Sequence, residues 1–190
     1  MVLINMKKLL LHTCCAPCSI AVIKDLIKDY QVTVYFFNPN IFPKQEYDKR
    51  KGEVVRVCQL WNVTMIDEDY VHEHWQEKIV GLEDEPEGGK RCTVCFDLRL
   101  YQTAKKAKEL NCQIFSTTLT SGRYKKADLI NPIGEEIAKA NGLEFLSADW
   151  KKDGRQQRAQ QLVCEYGIYK QKYCGCEFSL KASKARENKL

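Results

Sequence analysis

The chain has 190 residues, of which 44% are hydrophobic and 29% charged, and its formal net charge is +5. These values are typical of a globular protein with one domain, and no apolar run approaches the roughly 20 residues of a membrane-spanning helix. A charge of +5 permits nucleic-acid binding without establishing it.

The N-terminal segment, residues 1–11, predicts a strand rather than an export signal. It is apolar but short, and it has no small-residue cleavage site. Residues 8–11 have no helical period and predict the first strand, whereas residues 20–30 place their apolar side chains on one face of a helix. We therefore expect a cytoplasmic protein without a membrane partner.

The chain then alternates between strand-like and helix-like patterns. Further strands are predicted at 32–37, 63–66, 114–119 and 143–146, and further helices at 44–60, 70–80, 91–110 and 134–140. This alternation predicts an α/β fold, a Rossmann-like parallel sheet with helices on both faces. We expect an α/β domain over residues 1–150 and a basic helical segment over 151–190, which completes the same site within a single domain.

The ten cysteines are unusual for a protein without an export signal. Seven of them fall into three groups: Cys14, Cys15 and Cys18; Cys92 and Cys95; Cys174 and Cys176. Clustered thiols indicate zinc, iron–sulfur or redox chemistry. The isolated cysteines, which we interpret as small buried hydrophobic residues, are Cys58, Cys112 and Cys164.

The three groups of thiols are predicted to converge on one metal centre. The first group lies between the first strand and the first helix, at the sheet edge where α/β proteins bind ligands. Cys92 and Cys95 share one face of a helix, and Gly175 allows a turn that aims Cys174 and Cys176 in the same direction. Seven thiols exceed the four that a structural zinc or a [4Fe–4S] cluster takes. The remainder would serve a second metal, a redox pair or the substrate.

Several motifs together resemble one family. They are His12-Thr13-Cys14-Cys15-Ala16-Pro17-Cys18, Asn38-Pro39-Asn40-Ile41, Cys92-Thr93-Val94-Cys95 with Phe96-Asp97-Leu98-Arg99-Leu100, and Tyr173-Cys174-Gly175-Cys176. This set, spread over residues 10–179, resembles the QueH-type epoxyqueuosine reductases. The resemblance implies a HUP-like fold and reduction of epoxyqueuosine to queuosine at the wobble position of tRNA. It also implies a [4Fe–4S] cluster, a second mononuclear metal such as iron, and an electron donor such as a reduced ferredoxin or flavodoxin.

The implied reaction requires proton donors. Conversion of an epoxide to an alkene releases the oxygen as water and consumes two electrons and two protons, and a metal with an open coordination position would act as a Lewis acid. The candidate donors are Asp97, Tyr173 and His12. Each also has a structural interpretation, and His12 at the end of a buried strand fits a hydrogen-bonded core residue equally well. His72 and His74 lie on a helix that we expect to be solvated, and neither is given a role.

Basic residues follow the fourth and fifth strands, beside the predicted metal centre. The candidates for substrate binding are Arg123, Tyr124, Lys125, Lys126, Lys151, Lys152 and Arg155. Trp150, Tyr169 and Tyr173 are interleaved with basic residues, a pattern in which cations hold phosphates and aromatic rings stack on unpaired bases. We interpret this region as the binding surface for the anticodon loop of tRNA, and a solvated basic surface is the alternative.

Two other functional classes stay open. A PP-loop-type, ATP-dependent tRNA-modifying enzyme needs a Ser-Gly-Gly turn after the first strand to hold pyrophosphate. Cys14-Cys15-Ala16-Pro17 stands there instead, which disfavours ATP chemistry. A non-catalytic zinc-binding RNA protein would be colourless after anaerobic purification and would contain zinc alone.

Overall fold

The computed structural model describes residues 6–122 and 125–188, and these residues form five strands and seven α-helices. In chain order the elements are β1 (Lys8–His12), α1 (Ala16–Leu26), β2 (Gln31–Phe36), α2 (Lys44–Leu60), β3 (Thr64–Asp67), α3 (His72–Lys78), α4 (Lys90–Glu109), β4 (Ile114–Thr117), α5 (Ala127–Asn141), β5 (Glu144–Phe145), α6 (Arg155–Glu165) and α7 (Glu177–Glu187). Residues 1–5 of the predicted N-terminal strand segment lie outside the described residues. Within the described ranges, no helix is both long and apolar enough to cross a membrane.

The five strands form one parallel sheet in the order β3-β2-β1-β4-β5. Leu9 of β1 pairs with Val32 of β2 on one side and with Ile114 of β4 on the other. The strand order reverses between β1 and β4, since the chain first builds outward through β2 and β3 and then returns to add β4. In open α/β sheets, such a reversal opens a crevice at the carboxyl ends of the strands. Cys14 follows β1 at this crevice.

Helices cover both faces of the sheet, as the alternation of patterns predicted. Because side chains alternate along a strand, Leu9 and Leu11 belong to the core under α1, α2 and α6, whereas Leu10 belongs to the core under α4 and α5. A smaller third cluster, which contains Trp75 of α3 and Cys95 of α4, joins α3, α4 and α7. This third cluster holds the C-terminal segment against the edge where the cysteines lie.

Two helices contain a proline, and one of them begins earlier than the sequence predicted. In helix α1, which begins at Ala16, Pro17 stands in the first turn, where a missing N–H costs nothing. Helix α5 begins at Ala127 instead of residue 134 and contains Pro132. A proline inside a helix removes one backbone hydrogen bond, which obscured this extension in the sequence. Gly142, in the left-handed conformation, ends α5.

Candidate metal centre

Three thiols lie together where β1 passes into α1. Cys14 follows the strand, Cys15 caps the helix and Cys18 lies in its first turn. Their Sγ atoms are all within 4.8 Å of one another, and those of Cys14 and Cys15 are 4.0 Å apart. Cys14 and Cys15 are buried, and Cys18 is half-buried. In the described part of the chain, no other group of three or more metal-binding side chains is as close.

The protons of this trio are shared unequally. Hydrogen bonds with Cys15 and Cys18 hold the pKa of Cys14 well below its usual value. The hydrogen bond with Cys14 raises the pKa of Cys15 to about 12, and the hydrogen bonds with Cys14 and Cys15 raise the pKa of Cys18. Cys14 is therefore the thiol that most readily becomes the thiolate, the form that binds metals.

The other four grouped thiols lie on a second side of the same region. Cys92 and Cys95 occupy the first turns of α4, and Cys174 and Cys176 lie in the loop that enters α7. Cys92 and Cys174 line one cavity, whereas Cys95 and Cys176 pack into the third core cluster around Trp75. Burial raises the pKa of Cys92, and it raises the pKa of Cys95 to about 11. We call these four residues the quartet.

The loop of residues 171–176 connects the quartet to the trio. Gln171 Nε2 donates to Cys15 Sγ at 2.9 Å, and Arg50 donates to the carbonyl oxygen of Cys174 at 2.8 Å. Gly175 has φ +147°, and a Cβ there would lie 3.2 Å from Arg50 and from Ile41. The close approach of this loop to α2 thus depends on glycine.

A cavity of about 310 Å³ opens beside the thiols. Its lining residues are Glu87, Gly88, Cys92, Phe96, Lys125, Lys126, Asp128, Leu129 and Cys174. Lys126 is exposed and Lys125 is half-buried. Burial disfavours the charge of Lys125, but the nearby thiols of Cys174 and Cys14 outweigh it and raise the pKa of this ammonium above its usual value. A cation therefore lines the cavity together with two of the thiols.

The three candidate proton donors have different environments. His12 is fully buried, with Nδ1 2.9 Å from Thr117 Oγ1 and Nε2 3.1 Å from the carbonyl oxygen of Phe37. Burial lowers its pKa to about 3, so the ring is neutral. Tyr173 is half-buried beside Cys174, and its hydroxyl donates to the carbonyl oxygen of Phe42 at 2.5 Å.

Asp97, the third candidate proton donor, and Lys152 of the predicted basic surface are exposed to solvent. Asp97 is exposed and follows Cys95 by two positions, a spacing that faces different sides of a helix. Lys152 is exposed, but Lys151 Nζ donates to the carbonyl oxygen of Lys125 at 2.6 Å and so braces the loop that carries this cation.

Arg155 is held by carboxylates rather than free at the surface. Its Nε lies 3.2 Å from Asp25 of α1, and another of its nitrogens lies 3.0 Å from Asp153. This geometry gives Arg155 a role in joining α6 to α1. Arg123 and Tyr124, also predicted to bind substrate, lie outside the described residues.

Three expectations are wrong. Trp150 is buried and donates through Nε1 to the carbonyl oxygen of Thr117 at 2.8 Å, so it offers no free ring to a base. His72 is buried as well, because α3 turns it against Pro39, whose carbonyl oxygen lies 2.6 Å from Nδ1. Cys164 is exposed on α6, whereas Cys58 and Cys112 are buried as expected.

Buried arginines were missed by the sequence-based reasoning. Arg50, Arg91 and Arg99 are 1%, 4% and 1% exposed. Arg99 follows Cys92 by seven positions and Cys95 by four, so all three share one face of α4. This spacing was visible in the sequence and would have placed a cation next to the thiols.

Comparisons with known proteins place these features in a family. The model of the family "Epoxyqueuosine reductase QueH" matches residues 9–182. Proteins named epoxyqueuosine reductase QueH from Histophilus somni and Streptococcus pyogenes are each 40% identical to this chain. The matches cover 92% of this chain and 72% of the first protein, and 91% of this chain and 70% of the second. The protein of the same name from Thermotoga maritima is 35% identical, over 92% of this chain and 91% of its own length.

Solved structures with low sequence identity share the fold. The U34-tRNA thiolase NcsA from Methanococcus maripaludis, solved with its [4Fe–4S] cluster, superposes with a TM-score of 0.55 at 12% identity. The alignment covers 97% of this chain and 65% of NcsA. A predicted subunit of tRNA methyltransferase from Methanocaldococcus jannaschii also has a TM-score of 0.55, at 9% identity, over 85% of this chain and 90% of its own.

Proposed function

Because the chain belongs to the epoxyqueuosine reductase QueH family, we propose that it reduces epoxyqueuosine to queuosine at the wobble position of tRNA. The observation that carries this proposal is the family match, which extends from β1 into α7 and so includes all seven grouped cysteines. The reaction converts an epoxide into an alkene. Two electrons and two protons enter, both carbon–oxygen bonds of the epoxide break, and the oxygen leaves as water.

The donor set fits the metals that the family implies. Thiolates bind iron and iron–sulfur clusters, and three thiols within 4.8 Å form a set of that kind. We assign a [4Fe–4S] cluster to the quartet, which offers the four thiolates such a cluster takes, and a second metal, iron, to the trio. When bound, the cluster supplies single electrons and the second metal supplies a Lewis acid. NcsA, which shares the fold, is described with a [4Fe–4S] cluster.

The chain's own residues bind and orient the substrate. The cavity of about 310 Å³ is at the lower end of the roughly 300–1,000 Å³ usual for small-molecule sites, and it suits a single extruded nucleobase. Lys125, Lys126 and the exposed Lys152 provide cations for the phosphates of the anticodon loop. Lys151 and Arg155 contribute by holding this surface in place.

Among the candidate donors, Tyr173 is the best placed to hold the proton that the epoxide oxygen needs. Its hydroxyl bears a proton, it is partly accessible, and it adjoins Cys174. His12 would have to break two hydrogen bonds to transfer a proton, so we give it the role of joining the ends of β1 and β4. Asp97 would serve only through intervening water, because it is exposed on another side of α4. The electrons come from an external donor such as a reduced ferredoxin or flavodoxin.

The proposal is tested with anaerobically reconstituted protein, dithionite and tRNA that carries epoxyqueuosine, with the nucleosides analysed by mass spectrometry. The wild type should form queuosine and contain iron and sulfide. Cys95→Ser should lose iron and turnover, whereas Cys112→Ser, at a buried cysteine outside both groups, should lose neither. A colourless wild type that contains only zinc and leaves the epoxide intact would favour a zinc-binding RNA protein instead.

A further inference from the structure

The buried arginines around the thiols differ in how their charges are balanced. Arg50 has a carboxylate partner, since its Nε lies 2.7 Å from Glu46 Oε1. Arg91 donates to three carbonyl oxygens of the loop before α4 and packs over the ring of Phe178 at 4.3 Å. Arg99 has no carboxylate within ion-pair distance in the part of the chain that the structure describes, although it is 1% exposed.

Arg99 lies between the two groups of thiols. Its Nε donates to the carbonyl oxygen of Cys95, at 3.0 Å, and one terminal nitrogen lies 3.5 Å from Asn38 Oδ1. Asn38 in turn donates to the carbonyl oxygen of Thr13, at 2.9 Å, directly before Cys14. The other terminal nitrogen is buried without a hydrogen-bond partner among the described residues. The guanidinium therefore spans from the quartet's helix to the trio's turn with one donor nitrogen still free.

A buried guanidinium without an anion is costly, and arginine cannot escape this cost by losing its proton. The ionisable groups that act on the charge of Arg99 are thiols. Burial disfavours its charge, but the thiols of Cys95, Cys14 and Cys174 outweigh this and raise its pKa. The anion that balances Arg99 is thus expected to come from thiolates and from what they bind.

We infer that Arg99 is the fixed counter-cation of the thiolate-bound iron–sulfur cluster and that it raises the reduction potential of this cluster. The inference rests on the proposed function, because it takes the quartet to hold a cluster. Reduction adds one negative charge, so a nearby positive charge stabilises the reduced form more than the oxidised form. Burial weakens the screening of this effect by solvent, and hydrogen bonds to the sulfurs act in the same direction.

The test is a redox titration of reconstituted protein without tRNA, followed by electron paramagnetic resonance, for the wild type, Arg99→Gln, Arg99→Lys and Lys106→Gln. At a fixed applied potential, Arg99→Gln should lower the ratio of reduced to oxidised cluster at least tenfold, which is about 59 mV for a one-electron couple. Arg99→Lys keeps the charge and should stay close to the wild type. Lys106→Gln removes an equal charge about 10 Å further along α4 and should change nothing.

A second variant covers the case in which Arg99→Gln does not fold or load iron. Asn38→Asp places a carboxylate where Asn38 already meets Arg99, so it cancels the charge while the guanidinium stays in place. It should lower the ratio in the same direction as Arg99→Gln. An unchanged ratio in Asn38→Asp and in any loaded Arg99→Gln overturns the inference, and so does an equal fall in Arg99→Lys and Arg99→Gln.

The outcomes also separate this inference from the proposed function. A wild type that incorporates no cluster overturns both. A wild type that reduces the epoxide, with a potential insensitive to Arg99, overturns the inference alone. A cluster whose potential depends on the charge of Arg99, in a protein inactive on tRNA, supports the inference and overturns the proposed activity.

Discussion

Removal of the charge of Lys126 should weaken tRNA binding in a way that depends on salt. Lys126 is exposed at the rim of the cavity beside Cys92, whereas Arg155 is already paired with Asp25 and Asp153. Each phosphate neutralised on a single strand contributes about 0.7 to the slope of log K against log salt concentration. Lys126→Gln should therefore reduce that slope by about 0.7. When the salt is raised from 50 to 200 mM, the fold-loss of affinity should therefore be about 2.6 times smaller for Lys126→Gln than for the wild type.

Arg155→Gln is the matched control, because it removes the same formal charge from a residue whose charge is already balanced. Its slope should equal that of the wild type, and its cost should appear in stability, at less than about 1 kcal/mol for a partly exposed ion pair. The assay is fluorescence anisotropy of a labelled anticodon stem-loop over a series of salt concentrations. Parallel lines for Lys126→Gln and the wild type, or equal slope changes in the two variants, would refute the assignment of this rim to the phosphates.

Two predictions concern the fold. Gly134→Ala should lower the free energy of unfolding in urea by about 1–3 kcal/mol, because the new Cβ would lie 2.6 Å from two ring carbons of Phe145. Gly52→Ala is the control, since a Cβ there would have nothing within 4 Å, and it should raise the free energy of unfolding by up to about 1 kcal/mol. Equal effects of the two substitutions would contradict the packing argument. Iodoacetamide should modify the exposed Cys164 of the native protein well before the buried Cys58, where burial raises the pKa to about 12. The order of modification is measured by mass spectrometry of peptides after brief labelling, and modification of Cys58 first would contradict the prediction.

Most of the sheet could be predicted from the sequence because the longer strands carry their own signal. The run from Leu9 to Leu11 is apolar at every position, as a strand covered on both faces requires, and this predicted β1. The alternation of strand and helix patterns predicted the layers around it. Strand β5 has only two residues, so its position was predicted from the alternation rather than from its own pattern. The start of α5 was missed because Pro132 interrupts the helical signal, while the tertiary contacts of this helix outweigh the lost bond.

The site could be predicted only in part. The spacing of the cysteines predicted that seven thiols belong to one site, which stays a prediction, but their division into trio and quartet depends on tertiary contacts such as that of Gln171 with Cys15, 156 positions apart. Trp150 was misjudged because an aromatic residue among basic ones fits both a stacking surface and a buried anchor. The hydrogen bond from Trp150 to the carbonyl oxygen of Thr117 shows that it is a buried anchor. No local sequence pattern predicts that hydrogen bond.

The position of the trio explains how this fold can hold thiolates without carboxylates. A helix that begins at the strand-order reversal presents free N–H groups and a partial positive charge, which suit a bound anion. In this chain Cys15 occupies the cap of that helix, and the first turn of α1 contains no acidic residue. The thiol of Cys14 thus stands where an external anion would otherwise bind. It lies close enough to Lys125 and Arg99 to raise the pKa of both cations. In the proposed metal site, positive partners from a helix end and two side chains would stabilise the sulfur ligands as thiolates, the form that binds metals. The turn itself would then supply the anions that an external ligand supplies elsewhere.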